Sequence, residues 1–295
     1  IFTVADMKAT GKSIWNTWNK FPLEQLFLKT RNLLIGSSIN ANKEAVKIIK
    51  LKLENNKNLS SKKKISNLIK ILPNEIYLNN NQKKIIEFLK IIQKYEKKTC
   101  IQFSQDKNRL ATEITVYTKD KPGLLYKLSG AVSVSGFNVI EAKVSTLKNG
   151  MALDVLWVRD LNGLMLDNLY HAPKLKEIMY KILSNNFSLK EKIENEKNKY
   201  LKKNLFNINT KMFVDNNMSK KHTILEINTF DRIGLIYDLT RKLYKLGFKI
   251  SSAKTLAIGK RINNIFYIQD FKENKIESVY KISKLKRNII SLLKN

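Results

Sequence analysis

A stretch of ten residues occurs twice in this chain, 111 positions apart. Residues 120–129 read DKPGLLYKLS, and residues 231–240 read DRIGLIYDLT. The correspondence continues, because Gly136 matches Gly247 at the same offset and Asp160 matches Asp270 at an offset one residue shorter. A repeat that keeps its spacing in this way is typical of a duplicated folding unit. We therefore predict two modules of the same fold in the part of the chain that follows residue 107.

Hydrophobic periodicity gives the order of elements in the first module. Alternating polar and apolar residues predict strands, and apolar residues at spacings of three and four predict helices. We predict strand 113–117, a helix from residue 124, strands 138–145 and 151–158 joined by a turn with Asn149-Gly150, helix 172–185 and strand 212–215. The resulting order, β-α-β-β-α-β, is the ferredoxin-like arrangement.

The second module repeats this order as far as its second helix. We predict strands 224–228, 249–257 and 264–269, with helices at 235–246 and 276–294. No final strand follows, so the edge of this sheet is either open, which favours association, or covered by another segment. The fold class predicted is α+β, with a helical N-terminal segment followed by two ferredoxin-like domains.

The N-terminal part is predicted to be helical. Trp15, Trp18 and Leu26 recur at helical spacing within residues 1–35, and Ile and Leu do so within the Lys-rich residues 41–70. Leu72-Pro73 ends one helix, and residues 85–95 form another. The first residue is Ile1 rather than Met, so we expect that a longer protein continues before it.

The charge of the chain is strongly positive, with 55 basic and 25 acidic residues and a net charge of +30. Nucleic-acid binding is one interpretation. The codon preference of an AT-rich genome is the other, and it is favoured because only seven basic residues are Arg, the residue suited to bidentate phosphate and base contacts. A ferredoxin-like sheet that binds RNA would expose aromatic side chains on its open face, where Trp157 and Tyr267 occupy matching positions.

The sequence lacks the features of membrane-spanning proteins, of secreted proteins with a signal peptide and of metalloenzymes. No apolar run approaches the roughly 18 residues that span a membrane, and no signal peptide opens the chain. The single Cys100 fits a reducing cytoplasm. His171 and His222 are followed by Ala and Thr, so neither forms a His-Asp pair, and no zinc spacing or phosphate-binding glycine loop is present. We expect no metal site, cofactor or catalytic residue in this chain.

The repeated motif resembles that of tandem ACT domains, the small βαββαβ modules that bind amino acids in metabolic regulators. The resemblance also extends beyond the motif, to the bifunctional PII uridylyltransferase/uridylyl-removing enzymes of bacterial nitrogen control. It is carried by residues 2–6, 14–18 and 23–26, then by residues 72–78, and by residues 214–219 between the two copies.

This resemblance implies a domain organisation. Residues 1–36 would end a phosphohydrolase domain of the HD type, residues 37–107 a helical linker region, and residues 108–217 and 218–295 the two ACT domains. Uridylyl transfer in the family needs an Asp-x-Asp pair after a Gly-Ser turn, and Gly36-Ser37 has none after it. The chain alone is therefore expected to be inactive. The missing N-terminal catalytic domains would supply the chemistry with magnesium or another divalent metal.

The first candidate site follows from the strand-to-helix junction of the first copy. Asp120 is placed to cap the helix and to accept from a ligand ammonium, and Pro122 suits a first turn. Gly123 permits close approach to backbone N–H groups around Leu124, which form an anion site at a helix N-terminus. Asn138, at the start of the next strand, has the donor and acceptor that would read a side-chain amide. The resemblance implies that the ligand is glutamine and that the protein partner is the PII signal protein.

The second candidate site consists of Asp231, Gly234, Leu235 and Lys249. It departs from the first because Ile233 replaces the proline of the motif and Lys249 stands where the first copy has Asn138. Two further interpretations remain open: a stand-alone ACT-type regulator that binds an amino acid, and a basic nucleic-acid-binding protein. Neither nucleic acid nor a membrane is the partner that we expect.

Overall fold

The computed structural model describes residues 2–10, 23, 30, 46–51, 53, 62–160, 162–167, 170–184, 189, 192–193, 210–232, 234–258 and 261–294. The chain divides into two compact units. The helical unit comprises Ile1–Lys97 with the short segments Asp106–Leu110 and Leu147–Asn149, and the sheet unit comprises Lys98–Gln105, Ala111–Thr146 and Gly150–Asn295. Within the described ranges, no helix has both the length and the apolar character that crossing a bilayer requires.

The helical unit contains α1 (Phe2–Thr10), α2 (Lys62–Ile71), α3 (Asn74–Asn79) and α4 (Gln82–Tyr95). Asn81 begins α4 by accepting from the backbone N–H of Lys84 at 2.9 Å, as N-cap residues do. The buried face of α4 carries Ile85, Phe88 and Leu89 at helical spacing. The predicted helices are confirmed at α1, α2 and α4, whereas most of residues 11–45, including Trp15, Trp18 and Gly36-Ser37, lie outside the described residues.

The sheet unit contains two runs of four strands and two helices. The first run is β1 (Cys100–Asp106), β2 (Ala111–Lys119), α5 (Leu124–Val134), β3 (Phe137–Lys143), β4 (Met151–Asp160) and α6 (His171–Leu183). The second is β5 (Lys211–Asp215), β6 (Thr223–Phe230), α7 (Leu235–Lys245), β7 (Phe248–Ile258), β8 (Arg261–Asp270) and α8 (Val279–Lys294). The α+β class and the duplicated ferredoxin-like unit predicted from the sequence are confirmed.

The strands form one eight-stranded sheet in the order β1-β2-β4-β3-β7-β8-β6-β5. Apolar side chains of the strands and of α5, α6, α7 and α8 form a single core cluster, whose fully buried members include Leu128, Leu156, Leu239 and Phe266. The helices therefore cover one face of a sheet that both copies share.

The order of strands in each copy differs from the predicted order. Residues 212–215 were predicted to close the first copy, and this prediction was wrong, because β5 pairs with β6 of the second copy, Val214 opposite Leu225. The first copy is closed instead by β1, which precedes β2 and was not predicted. Each copy thus has the chain order β-β-α-β-β-α. A strand before the first strand and a strand after the second helix can occupy the same edge of the sheet.

The two copies join where β3 pairs with β7. Ala142 lies opposite Ala253 in antiparallel register, and the pairing continues as Val144 N–H donates to Ser251 O at 3.0 Å. Ala142 and Ala253 are equivalent positions of the repeat, so the copies are related by an approximate twofold axis at this pair. Above the sheet, the buried hydroxyls of Ser129 and Thr240, also equivalent positions, hydrogen-bond at 3.2 Å between α5 and α7.

We predict that residues 210–295 form a more stable isolated domain than residues 218–295. The shorter fragment loses β5, and with it the packing of Met212 and Val214 on the core and the hydrogen bond from Asn216 Nδ2 to Ile276 O at 3.1 Å. A loss of about 1–3 kcal/mol is expected for two half-buried side chains. Urea unfolding followed by circular dichroism measures the difference. Equal midpoints would show that β5 contributes nothing to the second copy.

Candidate ligand site at the strand-to-helix turns

The first turn connects β2 to α5 and is a type II turn. Leu124 N–H donates to Lys121 O at 3.1 Å, Pro122 occupies the second position, and Gly123 has φ 79° and ψ 15°, the conformation that the third position requires. The helix begins at Leu124 without a side-chain cap. The predicted capping role of Asp120 was therefore wrong. Its Oδ2 instead accepts from Thr146 Oγ1 at 2.6 Å.

Gly123 is required at this turn for two reasons. Its positive φ disfavours any residue with a Cβ, and a Cβ added there would collide with the ring of Tyr126, lying 2.8 Å from Cδ1. The Tyr126 ring thus lies directly over the glycine. Leu124 is only 6% exposed.

The second turn repeats this geometry between β6 and α7. Leu235 N–H donates to Arg232 O at 3.1 Å, and Gly234 has φ 73°. Leu235 is 2% exposed, while Ile233 lies outside the described residues. Desolvation raises the pKa of the Asp231 carboxyl, although the backbone N–H and the charge of Arg232 act in the opposite direction.

Asn138 does not lie beside the first turn, so grouping it with Asp120 in one site was wrong. Asn138 pairs with Arg159 at one end of β4, whereas Lys119, the residue before Asp120, pairs with Met151 at the other end. At the usual rise of a strand these ends are roughly 26 Å apart. The start of β3 lies at the opposite end of α5 from the turn.

The approximate twofold axis brings the first turn to the second copy instead. The Tyr126 ring lies 5.4 Å from that of Tyr244 at the end of α7, and Tyr244 contacts the ring of Phe271 at 6.1 Å. Antiparallel pairing places the start of β7, with Lys249, beside the segment that follows β3. We call Asp120, Gly123, Tyr126, Tyr244 and Lys249 the first junction site.

The second junction site is the symmetric counterpart and comprises Asp231, Gly234, Tyr237 and Asn138. Tyr237 packs over Gly130 of α5, where an added Cβ would lie 2.9 Å from Tyr237 Cδ2. The copies therefore exchange partners, so that each turn meets the strand start of the other copy. Sequence reasoning grouped each turn with the strand start of its own copy, whereas the pairing of β3 with β7 determines which end of a strand meets which turn.

The charges of the first junction site are partly engaged within the protein. Lys249 Nζ donates to Glu273 Oε1 at 2.8 Å, and this hydrogen bond lowers the pKa of Glu273. Desolvation, with a smaller contribution from Tyr244, raises the pKa of Tyr126. Tyr126 therefore stays a neutral hydroxyl donor at neutral pH.

A buried carboxyl that sequence reasoning missed lies beneath the first turn. Asp154 of β4 is fully buried, and its Oδ1 accepts from Ser145 N–H at 3.3 Å. Among the described residues, its Oδ2 has no hydrogen-bond partner. Its pKa is raised to about 8, mainly by burial and to a smaller extent by the negative charge of Asp120, while the Ser145 N–H acts in the opposite direction. Since Ser145 and Thr146 are consecutive, one short segment holds both carboxyls.

The second copy carries an amide at the equivalent position. Asn264 of β8 is fully buried, and its Oδ1 accepts from Thr255 Oγ1 at 2.9 Å. Within the described ranges its Nδ2 finds no partner. The available signal was a single acidic residue inside the apolar run MALDVLWV, matched by Asn264 in the repeat.

Neither histidine takes part in a metal centre among the described residues, where no three His, Cys, Asp or Glu side chains converge. His171 meets the ring of Phe137 at 5.3 Å, and His222 meets that of Tyr267 at 6.1 Å. Trp157 is only 4% exposed, so it does not form the open aromatic surface that the nucleic-acid interpretation requires.

The chain is similar in sequence to known proteins. Residues 211–294 match the family model described as an ACR9-like, ACT-like domain. The chain is 26% identical to bifunctional uridylyltransferase/uridylyl-removing enzymes of Gluconobacter oxydans, Azospirillum brasilense and Nitrobacter hamburgensis, over 99%, 99% and 100% of its own length. It covers 32% of each of these relatives.

The chain resembles the C-terminal part of these enzymes. The resemblance inferred from the sequence is thereby confirmed, and the chain spans about a third of the length of the uridylyltransferase/uridylyl-removing enzymes that it matches. The ACT-like match begins at Lys211, the first residue of β5, and ends at Lys294, the last residue of α8. The match therefore agrees with the assignment of β5 to the second copy.

We predict that Asp154→Asn stabilises the chain at alkaline pH. The folded protein keeps the Asp154 proton up to about pH 8, whereas the unfolded chain loses it near the ordinary pKa of 3.8. The free energy of unfolding therefore falls as pH rises between these values, by at most about 1.4 kcal/mol per pH unit. The amide does not titrate, so the advantage of the variant should grow up to about pH 8 and then level off.

Urea unfolding at intervals from pH 5 to pH 9 measures this difference. Asn264→Asp is the reciprocal variant and should add the same loss of stability with pH through the second copy. If the unfolding curves of wild type and Asp154→Asn differ by a constant amount across the range, Asp154 is ionised in the folded chain and the assignment fails.

Proposed function

We propose that this chain is the glutamine-sensing regulatory part of a uridylyltransferase/uridylyl-removing enzyme that acts on the PII signal protein in the cytoplasm. The observation that carries the proposal is the pair of glycine turns, each of which meets the other copy at the junction. Two thirds of the length of the relatives lie outside this chain, and the catalytic domains with their divalent metal belong to that part.

The first junction site offers complementary groups to a free amino acid. Backbone N–H groups in the first turn of a helix have no intrahelical partner and attract a carboxylate, and α5 begins without a side-chain cap on these groups. Asp120 has one carboxylate oxygen, Oδ2, engaged by Thr146 and accepts a ligand ammonium through the other. In the second junction site, Asn138 provides both a donor and an acceptor, which match a side-chain amide.

The shared sheet provides the means by which such a ligand would act. A ligand bound between the copies contacts both of them, so its affinity depends on their relative arrangement. Regulation requires that this affinity differ between two arrangements of the regulatory domains. In the intact enzyme, glutamine would favour the arrangement that removes uridylyl groups and suppress the one that transfers them.

Calorimetric titration of the full 295-residue chain with each of the twenty amino acids tests the proposal. We expect heat of binding with glutamine and at least about tenfold weaker binding of glutamate, because a charged side chain replaces the amide. Absence of binding by every amino acid would contradict the proposed function. Tighter binding of another amino acid would retain the sensor and exclude glutamine as its ligand.

We predict that Gly123→Ala weakens amino-acid binding by at least about tenfold. The new Cβ displaces the Tyr126 ring from the turn, and the backbone resists the positive φ that a Cβ disfavours. Gly163→Ala is the matched control, because Gly163 also has positive φ, 83°, with no atom within 4 Å of the added Cβ.

Both substitutions should lower the free energy of unfolding by about 1–2 kcal/mol, measured by urea denaturation. Only Gly123→Ala should also reduce the affinity for the amino acid. Equal affinities of the two variants would place the ligand away from the first turn.

A further inference from the structure

A pocket of about 230 Å³ lies beside the first turn, and the described residues that line it all belong to the first copy. Three lysines line it, Lys119 and Lys121 from the turn and Lys127 from α5, together with the hydroxyl side chains of Thr99 and Thr118. None of the described residues that line it is acidic. It is separate from the first junction site, because Leu124 and Lys127 lie on a different face of α5 from Tyr126, which contacts Tyr244.

We propose that this pocket, the lysine pocket, binds the phosphate group of a small phosphate monoester. The three lysines that line this cavity carry positive charge that matches the double negative charge of a phosphate, and ammonium and hydroxyl donors match its acceptor oxygens. The volume is below that of pockets for drug-sized ligands, so it fits a small anion. Leu124 and Leu183 also line the cavity and offer apolar contact to the organic part of a monoester.

The second copy supplies an internal comparison. The hydroxyl pair is kept, since Thr99 and Thr118 hydrogen-bond at 2.8 Å and their equivalents Thr210 and Thr229 do so at 3.2 Å. This hydroxyl pair is thus common to both copies, whereas the three lysines are not.

The charges of the second copy cancel at the corresponding positions. Arg232 replaces Lys121 and Asp238 replaces Lys127, and Arg232 Nη1 pairs with Asp238 Oδ2 at 2.6 Å. Phe230 stands where the first copy has Lys119. The positive charge of the first pocket is therefore a local feature that the fold does not require.

Lys127→Asp tests the proposal by giving the first copy the ion pair of the second. The full chain is titrated with phenyl phosphate and with inorganic phosphate, at a constant ionic strength of about 0.15 M to screen general attraction to the net charge. Lys176→Asp, on the exposed surface of α6 and outside the pocket, is the control with the same change of charge. We expect Lys127→Asp to weaken phenyl phosphate binding by at least about tenfold and Lys176→Asp by less than about twofold.

Lys121→Ala is a second variant, on an exposed side chain, and should weaken binding in the same way. Tighter binding of phenyl phosphate than of inorganic phosphate supports a monoester as ligand, and equal binding supports the phosphate group alone. Equal weakening by Lys127→Asp and Lys176→Asp would overturn the proposal. So would a wild-type titration with phenyl phosphate that gives no more binding than a control titration with chloride. Glutamine titration of Lys127→Asp should match wild type, so failure of the amino-acid site and failure of the lysine pocket are distinguished.

Discussion

The pairing of β3 with β7 is the constraint on which the rest of the sheet unit depends. Two four-stranded sheets would each expose an edge at β3 and β7, and an unpaired edge invites association with other chains. Antiparallel pairing at Ala142 and Ala253 satisfies both edges and merges the two cores. It is accompanied by a close approach of α5 and α7, whose buried Ser129 and Thr240 hydroxyls hydrogen-bond to each other. Small side chains at the axis are needed for this approach, since larger ones would force the helices apart.

Local patterns predicted most elements because period-two and helical periodicities survive in single segments, as in β2, α5 and α7. They did not predict which strand closes each sheet. β1 reads CIQFSQD, with Ile101 and Phe103 alternating with polar residues, but pairing partners are set by long-range contacts that no local period records. The same limit explains why the residues of each junction site were grouped incorrectly from the sequence. The turns were found from Gly123 and Gly234, whereas the position of Asn138 relative to them depended on the twofold pairing between copies.

Buried polar residues escaped prediction for a different reason. Asp154 lies within an apolar strand that reads as core, and its cost of burial is met by holding a proton rather than by an ion pair. A carboxyl in that state acts as a hydrogen-bond donor or acceptor according to what approaches it. Asn264 has a donor and an acceptor permanently and needs no change of charge. Both copies thus place a polar side chain at the equivalent buried position. The carboxyl of Asp154 and the amide of Asn264 respond differently to pH and to a neighbouring charge.

The two copies also differ in how the polar and charged side chains around their turns are paired. In the first copy Asp120 accepts from Thr146, whose equivalent in the second copy is Ala257, and the lysines around the first turn are replaced in the second by the Arg232–Asp238 pair. The second turn therefore pairs its charged side chains with each other, whereas the first turn carries lysines at both equivalent positions. Duplication gives two sites of the same backbone geometry, because glycine turns and strand pairing depend little on surface side chains. Charge can therefore change at such positions without disturbing the core or the sheet that both copies share.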